Sequence, residues 1–222
     1  MRPIQFCLIY YFPLVSERSF CYDHGMPRER SFSTREITLR AMNHFWKHGY
    51  HASSVSDLVN ATKVSRHGFY SAFDGKHDLF LACLELYQDE IVTPAFAKVE
   101  SAQAGLEEIA NYFESQIARA ESYGLPGPGC LVANTFTEVA PHHADVYVAA
   151  EKHNLRLKQG FTNALRNSSN GSLGKREVSE MASFLVISAQ GLWSMSRGVT
   201  NARTLRQYAS TLLDLIQYRL EI

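Results

Sequence analysis

The chain has 222 residues, 45% hydrophobic and 20% charged, with 22 Lys and Arg against 22 Asp and Glu. That is the profile of a globular protein with one large domain or two small ones, and it excludes a disordered chain. The four cysteines are too few for a disulfide scaffold, and no run of about eighteen apolar residues is present to span a bilayer.

Zero net charge conceals an asymmetry. Between Pro27 and Asp78, eight Lys and Arg face five Asp and Glu, and five of the nine histidines lie there. From Leu79 onward, twelve basic residues meet fifteen acidic ones. A basic N-terminal module on a mildly acidic body suits an anion-binding head.

Residues 1–25 stand apart. Ile4 to Val15 is apolar and aromatic, but Pro13 and Gln5 interrupt it, and no small-residue cleavage site follows. The segment reads as a leader or an over-extended start, and the working chain is expected to begin near Met26.

Prolines are absent from 28–93 and from 142–222, and apolar residues there recur every three or four positions. The expected fold is all-α. Helix one starts at Ser33, where Ser33-x-x-Glu36 is a capping box, and ends at Gly49. Helix two starts at Ser54, with Asp57 as the reciprocal partner. Thr62-Lys63-Val64 is a short turn, and Ser65 caps a third helix that Asp74-Gly75 ends. A fourth helix runs from about Lys76 to Val92. Beyond Pro94, helices are expected around Leu106–Ile117, around Cys130–Val139 with Pro141 as its stop, and then a long one to about Arg166. YGLPGPG at 123–129 and NSSNGSLG at 167–174 are loops. Two final helices cover about Lys175–Arg197 and Ala202–Leu220.

Two short helices joined by a tight turn, in a basic segment, predict a helix-turn-helix. Its second helix reads the major groove with its N-terminal residues, here Ser65, Arg66 and His67. Arg66 suits guanine or phosphate, and Tyr70 suits a phosphate oxygen. Lys76 opens a new helix, where backbone amides also favour an anion. Lys63, in the turn, is a further candidate phosphate contact.

Thr34–Leu86 resembles the DNA-binding domain of TetR/AcrR-family transcriptional regulators. The resemblance rests on Gly49-Tyr50, Val55-x-x-Leu58-Val59, Val64-Ser65-Arg66, Phe69-Tyr70, Phe73 and Lys76-x-x-Leu79. It implies that the aromatic pair and the later lysine clamp DNA, placing Phe69, Tyr70 and Lys76 in the contact set; Ser54 completes it. Two residues depart from the family pattern: Lys63 stands where the family usually has glycine, and Gly68 lies within the recognition helix. The resemblance further implies a head at 26–78 and a helical body at 79–222 that binds a small-molecule effector. The body dimerises through its last two helices, with Ala189 and Gly191 allowing close approach.

The expected function is a cytoplasmic, homodimeric repressor, not an enzyme, released from a palindromic double-stranded operator by the effector. No cofactor, metal or membrane partner is expected; His142, His143 and His153 lack metal-ligand spacing. Candidate effector-pocket residues are Phe113, Tyr123, Cys130, Phe136, Tyr147 and Trp193. Cys130 also carries two alternatives, as a thiol or electrophile sensor or as the nucleophile of a helical enzyme.

Overall fold

The computed structural model describes residues 32–221, which fall in one compact unit. The expected leader and the start near Met26 lie outside the described residues. The elements are α1 (Thr34–His48), α2 (Val55–Thr62), α3 (Arg66–Ala72), α4 (Lys76–Tyr87), α5 (Thr93–Phe96), α6 (Leu106–Tyr123), α7 (Leu131–Glu138), α8 (Ala144–Ser169), α9 (Lys175–Met195) and α10 (Arg203–Glu221). A π-helical turn, Gln88–Val92, joins α4 to α5. Among the described residues, no helix is long and apolar enough to cross a membrane.

The expected caps form. Ser33 and Glu36 exchange hydrogen bonds at the start of α1, as do Ser54 and Asp57 at α2. Gly49 ends α1 at φ 85°, a region that disfavours a side chain. A Cβ there would also lie 3.0 Å from both carboxylate oxygens of Glu138.

Two boundaries differ from the sequence expectation. Helix four was expected to stop before Pro94, yet the chain continues helically to Phe96. Pro94 lacks an N–H, and its ring crowds the carbonyl four residues back. The wider π turn before it relieves that clash, and the Thr93 amide donates to Gln88 O instead. At the other end, α8 runs three residues into the expected loop. Asn167 Nδ2 donates to the Ala102 and Ala104 carbonyls at 3.0 and 2.8 Å, and Ser168 Oγ accepts from Leu106 N at 2.7 Å. These tertiary bonds hold the last turn of α8.

The body packs on an aromatic seam. Phe96 meets Tyr112 and Phe161 edge-on, at 5.1 and 5.2 Å between centroids. Gly160 makes room for it, since a Cβ there would lie 2.5 Å from Phe96 Cε1. The start of α1 is tied to this body by an ion pair between Arg35 and Glu90 of the π turn. Trp46 adds a hydrogen bond to Gly129 O at 3.0 Å and packs edge-on against Tyr87.

Candidate nucleic-acid interface

The tight turn between α2 and α3 is built by three local devices. Thr62 Oγ1 donates back to Leu58 O at 2.7 Å. Arg40 Nη1, from α1, donates to Thr62 O at 3.1 Å and so satisfies one of the orphan carbonyls at the end of α2. Lys63 then turns the chain in the left-handed region, at φ 61° and ψ 28°. Sequence reading placed Lys63 in the turn but missed Arg40, because Thr62 lies 22 residues away.

Ser65 caps α3 by accepting from Gly68 N at 3.1 Å. Gly68 is required by that closeness, because a Cβ there would lie 2.9 Å from Val64 Cγ2. Helix α3 then divides cleanly. Phe69 is 0% exposed and packs on Phe73, while Tyr70 is 52% exposed. Ser65, Arg66, His67 and Lys63 are exposed as well. Among the described residues, no hydrogen bond or ion pair occupies the side chains of Lys63, Arg66 or His67. They present cationic and hydrogen-bonding groups on one edge of the turn and the first turn of α3.

Three of the expected contact residues are engaged within the protein. Phe69 reaches no solvent, so it anchors α3 and does not touch a ligand. Lys76 is a strut: its Nζ donates to Tyr50 O and Ser53 O at 3.1 and 3.0 Å and lies 4.2 Å from the Tyr50 ring centroid. Burial lowers its pKa, with Glu138 opposing, and one N–H of the ammonium remains for a phosphate. Ser54 is exposed, but its hydroxyl donates to Asp57 Oδ2 at 2.6 Å and is committed to the cap.

The expected effector lining is divided. Phe113, Trp193 and Cys130 meet around Tyr112: the Phe113 and Trp193 rings stack at 6.4 Å, and Tyr112 interacts with both Trp193 and Cys130. Phe136 instead pairs with the half-exposed Tyr147 at 6.1 Å. Tyr123 stands half-exposed at the end of α6, with the Arg119 guanidinium over its ring.

Cys130 is buried, and burial raises its pKa. Hydrogen bonds from the Ala133 amide, the Tyr87 hydroxyl and the Val132 amide pull the other way without overcoming it. Both the thiol-sensor and the nucleophile readings need a thiolate, which this setting disfavours.

His153 is buried on α8 and meets Gln88 of the π turn at 3.2 Å. Burial, with Arg156 adding repulsion, lowers its pKa from 6.5 to about 4. The unfolded chain therefore binds more protons between those values, and stability present above pH 6.5 is lost as pH falls toward 4. Urea unfolding at pH 7 and pH 4.5 should show a loss of about 2–3 kcal/mol from this group. His153→Gln should remove that part of the difference.

Residues 37–83 match the model for bacterial regulatory proteins of the tetR family, a span running from α1 through the turn and α3 into α4. The HTH-type transcriptional repressor ComR of Escherichia coli (strain K12) is 26% identical over 205 residues, covering 91% of this chain and 97% of that protein. Residues 37–83 therefore carry a TetR-family DNA-binding domain, and the similarities together support a TetR-family transcriptional regulator. The fold is shared with solved TetR-family regulators. A TetR-family regulator from Cytophaga hutchinsonii superposes with a TM-score of 0.72 at 20% identity, covering 83% of this chain and 92% of that one. A cysteine mutant of CifR, complexed with double-strand operator DNA, gives 0.71 at 23% identity, covering 84% and 98%.

Proposed function

We propose that this TetR-family regulator is a homodimeric repressor that reads a two-fold-related operator through Lys63, Ser65, Arg66, His67 and Tyr70. A small-molecule effector in the body releases it. The observation that carries the reading is the division of α3: buried Phe69 holds the helix, while Lys63, Arg66, His67 and Tyr70 around it keep their polar groups free. ComR is named a repressor, and CifR has been complexed with operator DNA, which supports the same reading here.

Dimerisation is supported by two apolar stripes that α9 and α10 turn away from the core. Along α9, Phe184, Ile187 and Met195 are exposed, with Ile187 at 72%. Gly191 lies on the same face, with nothing within 4 Å of where a Cβ would be. Along α10 the matching residues are Tyr208, Leu215 and Tyr218, the last 64% exposed. An exposed apolar patch of this kind marks an interface, and a self-complementary one suits two-fold symmetry. Ala189, expected to allow close approach, is buried in the protomer's own core.

The functional division into head (26–78) and body (79–222) falls within α4. A helix shared between the two parts carries changes in the body to α3. Trp46–Gly129 and the His51 amide to Glu138, at 2.7 Å, are further links across that division. The effector is assigned to the Tyr112–Cys130–Trp193 cluster, where a buried hydroxyl, thiol and indole lie among apolar side chains. It acts by binding the DNA-free spacing of the heads more tightly, so that inducer and operator oppose each other reciprocally.

The test is a mobility shift on promoter-proximal DNA from the protein's own locus, with light scattering on the same sample. The native chain should run as a dimer and give a salt-sensitive shift. Ile187→Glu should run as a monomer and lose at least about tenfold in DNA affinity, because one head reads only half of the site. A dimeric Ile187→Glu protein would refute the α9–α10 interface.

A further inference from the structure

We propose that His77, His143 and Asp145 form a binding site for a divalent transition-metal cation of the zinc class, joining the first turn of α4 to the start of α8. Sequence reading considered His143 with His142 and His153, and found no ligand spacing. The fold sends His153 into the core and leaves His142 exposed. It brings His143 instead to His77, on another helix.

Each of the three residues offers one ligand atom, and these atoms lie within 4.8 Å of one another. The two imidazole rings are tilted at 40°, with centroids 4.8 Å apart. Tyr50 meets both rings edge-on, at 6.5 and 6.3 Å, and forms a wall of the site. His77 Nε2 lies 2.6 Å from Asp145 Oδ2, a hydrogen bond in which the imidazole N–H donates to the carboxylate. His77 Nδ1 is buried and has no hydrogen-bond partner among the described residues. The neighbouring cation does not fill the site, since Lys76 turns its ammonium to the Tyr50 and Ser53 carbonyls.

A metal ion takes the place of the bridging Nε2 proton, and the neutral ring then carries its proton on Nδ1. Nitrogen and oxygen then separate from 2.6 Å to roughly 3.3 Å, the spacing of two ligands each about 2.0–2.1 Å from a tetrahedral ion. Asp145 is more than half exposed and free to make that movement. His143 supplies the second nitrogen, and water completes the shell. Two imidazoles and one carboxylate suit zinc-like ions better than calcium or magnesium, which prefer all-oxygen shells. Ligation fixes the helix that follows α3 against the body. Its consequence for DNA, unlike the site itself, rests on the repressor reading above.

The experiment titrates tag-free, EDTA-stripped full-length protein with Co²⁺ and then displaces the cobalt with Zn²⁺. One equivalent per chain should bind, with the visible bands of tetrahedral cobalt. His77→Gln and His143→Gln should each weaken binding at least about tenfold, and His142→Gln should not. Asp145→Asn, at an exposed position, serves as a third variant should either histidine change lower the melting temperature. Absence of saturable binding overturns the site. So does binding that persists unchanged in the His77 and His143 variants, or a near-ultraviolet thiolate band, which would assign the metal to cysteines. Operator binding by the metal-free protein is measured separately. A failed titration with an intact DNA shift refutes this site alone, and the converse refutes the repressor reading alone.

Discussion

Replacing Arg66 and Tyr70 together by alanine is expected to lower operator affinity at least about 30-fold at fixed salt, because each contact of this kind is worth roughly 1–3 kcal/mol. The melting temperature should barely move. Both side chains are exposed, and neither holds another element in place. Loss of affinity without loss of stability separates a reading helix from a structural one. The slope of affinity against salt should also become shallower, since charge facing the phosphates has been removed. A mobility shift across a salt series and a thermal melt by circular dichroism check both halves. Unchanged affinity in a folded double variant would mean that α3 does not read DNA.

Phe69→Ala, one residue before Tyr70, should do the opposite. Phe69 is fully buried and meets Phe73 at 6.3 Å. Truncating a phenylalanine in such a site costs about 3–5 kcal/mol, through lost burial and the cavity left behind. Urea unfolding should record that loss, and DNA binding should fail as a result. Phe69→Leu keeps most of the volume and should recover much of both. A Phe69→Ala protein that keeps its stability but loses DNA affinity would return Phe69 to the contact set. Two neighbouring aromatic residues thus have separate tasks, set by a helix that turns about 100° per residue.

The helices and the turn that present these residues were legible in the sequence because their determinants are local. A cap satisfies amides two or three residues away, so Ser33 with Glu36, Ser54 with Asp57, and Ser65 could each be read directly. The left-handed turn at Lys63 lay in the same short range, and Arg66 with Tyr70 followed from where the cap begins the helix.

The assignments that failed concern which face of a helix meets what. Phe69 and Tyr70 look alike in sequence, and only burial beside Phe73 separates them. On α10, Tyr208 and Leu215 continue an apolar stripe with Leu205, Leu212 and Ile216, yet the first two face outward. A helix that is apolar on two sides does not reveal which side its own chain will cover. The tether of Lys76 was not legible either, because the carbonyls that hold it lie 23 and 26 residues away. The His77–His143–Asp145 cluster spans 68 residues, beyond any spacing rule. The sequence by itself determined where helices begin, turn and end, since the hydrogen bonds that decide this close within one turn. Tertiary structure alone decided which side chains are buried, committed or free, since those depend on surfaces that meet only after the helices have packed.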